Sequence, residues 1–184
     1  IFTAVQLGRS FNVAEVRAVV TDIVGSILRN PNALQWLSLI KNKDEYTAEH
    51  CLRVCIFSVS LGRELGMLES ELINLGISGF LHDVGKTRVP TEVLNKPGRF
   101  TDEEYEVMKA HSTHGKNILL SQTGVPPIAI DVAYTHHERI DGGGYPRKLS
   151  GHKISNFARI VCIVDAYDAM TSTRVYKTAM SSLE

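Results

Sequence analysis

The chain has 184 residues, of which 43% are hydrophobic and 22% charged, the ordinary mix of a globular domain and far from that of a disordered one. Its 20 basic residues balance 20 acidic ones, which excludes the basic excess expected of a duplex nucleic-acid binder. No apolar run reaches the roughly 18 residues of a membrane span and no secretory leader is recognisable, so a cytoplasmic protein is expected; the start at Ile1 suggests a piece of a longer one.

Apolar residues recur with a helical period almost throughout, so the expected fold class is all-α. Asn12 caps a first stripe of Val13, Val16, Val20, Ile23, Val24, Ile27 and Leu28. Pro31 opens a second, through Leu34, Trp36, Leu37 and Ile40. Residues 1–43 therefore read as a separate amphipathic hairpin, either a cap or linker or a surface through which two copies dimerise, before a domain over residues 44–184. A helix from Thr47 to Leu65 repeats Val54, Phe57 and Leu61 on one face and closes at Gly66. The next begins near Ser70 and ends between His82 and Gly85. Residues 88–100, with two prolines and a glycine, read as a loop with at most one helical turn. Thr101 and Glu104 form a capping box before a single helix carrying Val107, Met108, Ile118 and Leu119. Pro126 and Pro127 open another, which ends near His137, and Gly142 to Gly144 preclude regular structure after it. The last helix spans Asn156 to Met170. Cys51, Cys55 and Cys162 do not suit a disulfide scaffold and read as small, reduced core residues.

Polar residues interrupt these apolar faces. His50 shares a stripe with Val54, Phe57 and Leu61, and His111 one with Met108 and Ile118. His136 follows Ile128 and Val132, Asp165 stands with Ala158, Val161 and Ala169, and the pair His82–Asp83 ends a helix passing through Leu75 and Gly79. Unpaired charge in an apolar interior costs roughly several kcal/mol per group. A divalent cation removes that cost and accepts both imidazole and carboxylate. His50, His82, His111, His136, His137 and the two acids exceed the needs of one ion, so two ions bridged by Asp83 or Asp165 are expected. The mixed donors suit iron or manganese, with nickel and zinc as alternatives. Lys86, Arg174 and Lys177 are suited to holding a phosphate, and Asp168, one turn from Asp165, to supporting a ligand. The glycine run permits close backbone approach to a substrate.

His82-Asp83-Val84-Gly85-Lys86 resembles the signature of the HD metal-dependent phosphohydrolases. His136-His137-Glu138-Arg139-Ile140-Asp141-Gly142-Gly143-Gly144-Tyr145-Pro146 resembles that of their HD-GYP branch. Lys96 to Thr101, His111 with Gly115, Ala158 to Ile160, Asp165 to Ala169 and Arg174 to Lys177 continue the likeness over residues 44–178. The resemblance implies a helical bundle that hydrolyses cyclic di-GMP or cyclic GMP-AMP to the linear dinucleotide and on to GMP, with a non-catalytic cyclic-dinucleotide sensor or partner-binding domain as the alternative. It assigns metal roles to His50, His82, Asp83, His111, His136, His137 and Asp165, catalysis to Asp83 and Lys86, and phosphate or substrate contacts to Lys86, Arg174 and Lys177. Gly144 and Tyr145 belong to a loop implicated in substrate contact and in binding diguanylate cyclase (GGDEF) domains. Tyr46 stands where members with three metals carry glutamate, and Glu45 and Glu49 lie on other faces, so two metals are expected. Val175 replaces a usual proline, and the chain stops at Glu184, short of a further helix the family normally has, which implies an incomplete substrate pocket.

Overall fold

The computed structural model describes residues 1–30 and 46–171. The expected helix from Pro31 through Trp36 and Ile40, the side chain of Tyr46, and Arg174, Val175 and Lys177 lie outside the described residues. The fold is all-α; among the described residues the β-type pairing is an isolated bridge between Asp141 and Ser150. In chain order the helices are α1 (Phe2–Gln6), α2 (Val13–Arg29), α3 (Tyr46–Glu64), α4 (Glu69–Leu81), α5 (Thr91–Leu94), α6 (Asp102–Lys109), α7 (His111–Leu120), α8 (Pro127–Thr135) and α9 (Asn156–Thr171). Short 3-10 helices at Val84–Arg88 and Gly151–Lys153 lie between them. No described helix is long and apolar enough to cross a membrane.

Local signals set most boundaries. The Asn12 side chain accepts from the Ala14 and Glu15 amides, and Thr101 and Glu104 form the reciprocal capping box. α3 ends before Gly66, whose φ of +75° turns the chain back into α4. The single helix expected after Thr101 is two. It breaks at Ala110, and the His111 ring donates to the Met108 carbonyl at 2.7 Å, an acceptor that an unbroken helix would use for its own backbone.

The apolar faces meet in two adjoining clusters. One joins Val16, Val20, Val24 and Ile27 of α2 to Cys55 and Val59 of α3, Leu72 and Ile77 of α4, and Ala129 and Ala133 of α8. The stripe of α2 thus lies in the same core as the rest of the bundle and does not form a core of its own. The second cluster joins Val54, Leu75 and Val132 to Ala158, Val161 and Val164 of α9. Cys51 and Cys55 are buried and free, as small core residues, and burial pushes the Cys55 thiol up to about 12. Because α3, α4 and α8 contribute to both clusters, they form the rigid middle from which the polar residues project.

Candidate metal centre

The polar residues on apolar faces converge at one end of this middle layer. His50 comes from the first turns of α3, and His82 with Asp83 from the chain just after α4. His111 is the first residue of α7, His136 and His137 directly follow α8, and Asp165 and Asp168 lie one turn apart on α9. Asp83 is 1% exposed and stands at the centre. Its Oδ2 is 3.5 Å from His50 Nε2 and 3.3 Å from His82 Nε2; its Oδ1 is 3.4 Å from His111 Nε2 and 3.8 Å from His136 Nε2. Asp165 Oδ1 lies 3.2 Å from His50 Nε2 and 3.9 Å from His82 Nε2. The His137 ring packs 4.0 Å from that of His136 and 5.0 Å from that of His111.

The rings of His50, His82, His111 and His136 are oriented from behind. His82 Nδ1 donates to the Gly79 carbonyl at 2.7 Å, His111 Nδ1 to that of Met108 at 2.7 Å, and His136 Nδ1 to that of Val132 at 3.0 Å. His50 Nδ1 donates to Asp168 Oδ2 at 2.7 Å. A carbonyl oxygen can only accept, so the proton of the His82, His111 and His136 rings sits on Nδ1 and their Nε2 lone pairs face Asp83. Consequently the Nε2 atoms of His111 and His136, 3.4 Å apart, face each other with no proton to share.

Charges divide across the site. Burial works against the ionised Asp83, yet Lys86, then His82 and His50, outweigh it and hold the carboxyl well below the usual carboxylate range. Burial likewise opposes ionisation of Asp165, and His50 and His82 hold it far below that range. Burial alone would depress His50, but Asp165, Asp168 and Asp83 hold it well above its ordinary value. On the other side burial leads: it depresses His136, reinforced by His137 and His82, and lowers His111, reinforced by Lys86. His137 falls to about 3 through burial and the neighbouring His111.

Such an arrangement fits divalent cations. Among the described residues His82 Nε2 and Asp83 Oδ1 are buried without a hydrogen-bond partner, which in a dry interior costs about 1–3 kcal/mol for each group. The opposed lone pairs of His111 and His136 repel unless positive charge lies among them. Donor atoms among the described residues fall within 4.8 Å of one another in three sets: Asp83, His111, His136 and His137; His50, His82 and Asp83; and His82, His136 and Asp165. Neutral imidazoles with carboxylates are the donors such ions take.

Lys86, in the 3-10 helix that follows Asp83, reaches back to Asp83 Oδ2 at 2.5 Å and keeps 26% of its side chain exposed. Burial would lower its pKa, but Asp83 and Asp165 raise it, so it remains an ammonium. Tyr145 stacks on His137 with centroids 4.7 Å apart and 27° between planes. Gly144 is buried; a Cβ there would stand 2.4 Å from the Arg139 nitrogen and 2.5 Å from Glu138 Cα. At Gly144 the close backbone approach expected toward a substrate is made to the protein's own chain.

Several supporting residues carried no role in the sequence reading. Arg53, 6% exposed, binds both carboxylate oxygens of Asp168, Nε to Oδ1 at 2.6 Å and Nη2 to Oδ2 at 3.2 Å. His50 and Arg53 against Asp168, opposed by burial, hold that carboxyl at about 2. Glu138, 3% exposed, accepts from the Arg147 amide at 2.6 Å and the Leu149 amide at 2.8 Å, tying the loop that carries Tyr145. The signal for Arg53 was present: it lies three residues after His50 and so on an inward face.

The HD domain profile matches residues 36–184. The chain belongs to the HD domain family. Within this HD family the segment from His136 to Pro146 carries the HD-GYP signature. It is 40% identical over 183 residues to the cyclic di-GMP phosphodiesterase PA4108 of Pseudomonas aeruginosa, a match covering 100% of this chain and 44% of that protein. It is 35% identical over 149 residues to the 3'3'-cGAMP-specific phosphodiesterase 1 of Vibrio cholerae, covering 81% of this chain and 34% of that protein. The chain thus spans less than half the length of these curated relatives. Among solved structures, Bd1817, a HDG"Y"P protein from Bdellovibrio bacteriovorus, shares the fold with a TM-score of 0.76 at 23% identity, over 86% of this chain and 53% of that one.

Proposed function

We propose that this domain is a metal-dependent phosphodiesterase that hydrolyses a cyclic dinucleotide, cyclic di-GMP or 3'3'-cGAMP, to the linear dinucleotide in bacterial second-messenger signalling. The observation that carries the reading is the convergence of imidazole Nε2 atoms and carboxylates on Asp83, with opposed lone pairs that only cations reconcile. The names of the relatives supply the substrate class. On this reading His50, His82 and Asp165 hold one ion and His111, His136 and His137 another, with Asp83 common to both and iron or manganese the metal. A bound pair of such ions supplies Lewis acidity toward a phosphoryl oxygen and acidifies water.

The chain's own groups do the rest. Asp168 and the three backbone carbonyls keep the rings turned inward, so no reorganisation is needed when a substrate arrives. Lys86, a permanent cation at the rim, stabilises charge developing on the phosphoryl oxygens and offers a hydrogen bond to the leaving 3′ oxygen. Arg174 and Lys177 serve as further phosphate clamps. Tyr145 walls the His137 side and limits access by water, and its loop is the face offered to a GGDEF domain. A linear product still contains one phosphodiester, so the same groups serve a second cleavage to GMP. The cytoplasm, where such messengers act, is the compartment that goes with this activity.

Protein reconstituted with iron or manganese should convert cyclic di-GMP or 3'3'-cGAMP to a linear product resolved by chromatography, and leave a nucleoside triphosphate intact. Calorimetric binding of the cyclic dinucleotide with no linear product would replace this reading by that of a sensor.

A further inference from the structure

Outward from the His137 side of the centre, aromatic side chains continue beyond Tyr145. Tyr105, on α6, meets the Tyr145 ring edge-on at 6.4 Å and 80° and keeps 46% of its surface exposed. Lys109, one turn further along α6, holds its ammonium 5.0 Å from the Tyr105 centroid and 5.8 Å from that of Tyr145. Core packing does not account for these positions, because α6 contains no buried residue. The line His137–Tyr145–Tyr105, with a cation against its outer rings, is a graded surface running from the candidate ion site to solvent.

A cyclic dinucleotide has two phosphodiesters and two bases, and hydrolysis engages one phosphodiester at a time. The other half of the ring still carries a negative charge and an apolar base face, and both need a surface. Lys86, paired to Asp83, serves the phosphodiester being cleaved. Lys109 is paired to Glu106, whose side chain is 70% exposed, and exchanging so exposed a partner for a phosphate costs little. Stacking on a tyrosine ring tolerates any base, and a neighbouring ammonium adds attraction for phosphate.

We propose that Tyr105 and Lys109 form an outer subsite that takes the half of a cyclic dinucleotide not being cleaved, the base against Tyr105 and the second phosphodiester on Lys109. The assignment rests on the phosphodiesterase reading and deepens it, giving that activity a preference for dinucleotides over small diesters.

The test compares kcat/KM for cyclic di-GMP with that for bis(p-nitrophenyl) phosphate, which has no second nucleotide, in the metal-loaded full chain. Tyr105→Ala should lower the ratio of the two by about tenfold, chiefly through KM for the dinucleotide, and Tyr105→Phe should restore it. Lys109→Gln should lower the same ratio and flatten its dependence on salt. Equilibrium dialysis of the dinucleotide against each variant in calcium, a cation that need not support turnover, should show the same order of affinities. An unchanged ratio in both Tyr105→Ala and Lys109→Gln, or failure of Tyr105→Phe to rescue, overturns the subsite and leaves the phosphodiesterase reading standing. A wild-type protein that cleaves the small diester and neither cleaves nor binds the dinucleotide overturns both.

Discussion

Gly85 gives the sharpest test of how the centre is assembled. It lies two residues after Asp83, where the 3-10 helix crosses the start of α7. A Cβ on Gly85 would stand 1.9 Å from the His111 carbonyl oxygen, 2.4 Å from the Gly115 nitrogen and 2.9 Å from Gly115 Cα. All three are backbone atoms, so no rotamer change relieves the clash. Moving from 1.9 Å to the roughly 3.4 Å of ordinary contact opens the crossing by about 1.5 Å. His111 Nε2 now sits 3.4 Å from Asp83 Oδ1 and would move with its backbone. Metal–ligand distances tolerate only about 0.2 Å. Gly85→Ala should therefore remove His111 from the donor set while His50, His82 and Asp165 keep theirs. The bound metal, measured by mass spectrometry, should fall from two ions toward one per chain. Turnover of a cyclic dinucleotide should drop by about a hundredfold, the usual cost of a misplacement near 1 Å. Overpacking should also cost about 1–3 kcal/mol in denaturant unfolding, with far-UV circular dichroism showing the helices intact. A Gly85→Ala protein with a full metal complement and wild-type turnover would refute the argument.

Three further outcomes follow from the same geometry. Asp83→Ala removes the donor common to both sides; turnover should vanish with helical content nearly unchanged, and retained activity in that variant counts against the proposed mechanism. Arg53→Met strips Asp168 of its guanidinium partner and leaves it the His50 ring, which should cost about 1.5–3 kcal/mol by urea unfolding; a loss under about 0.5 kcal/mol would mean the pair is dispensable. In protein freed of metal by chelation, His111, His136 and His137 have folded pKa values below their ordinary value of 6.5, so the unfolded chain binds their protons first. Stability should therefore fall as pH drops from about 6.5 toward the value of about 3 for His137; His50, whose pKa is raised, is protonated in both states across that window and contributes to the pH dependence only above it. A melting temperature flat between pH 7 and about pH 4 would contradict these directions.

The sequence by itself determined what depends on neighbours along the chain. Among the described residues helical periodicity located the longer helices, though not α1 or the break at Ala110, the Asn12 and Thr101 side chains marked two of their starts, and the glycine and proline clusters marked loops between them. It also singled out the inward histidines and acids, because a polar side chain among Val54, Phe57 and Leu61, or among Val161 and Ala158, breaks a pattern that can be read locally. Tertiary structure decided how those faces cross. Asp168 and Arg53, 115 residues apart, meet only because α9 packs against α3. The break at Ala110 depends on the His111 ring taking the Met108 carbonyl, and Glu138 finds its partners in the backbone of Arg147 and Leu149, which has no sequence signature. Gly85 and Gly144 stand in the two motifs, but the close backbone crossing each one permits appears only when the chain segments they touch are in place. Local propensity acts over a few residues, whereas lone-pair direction, charge balance and close backbone approach are set by distances between helices remote in sequence.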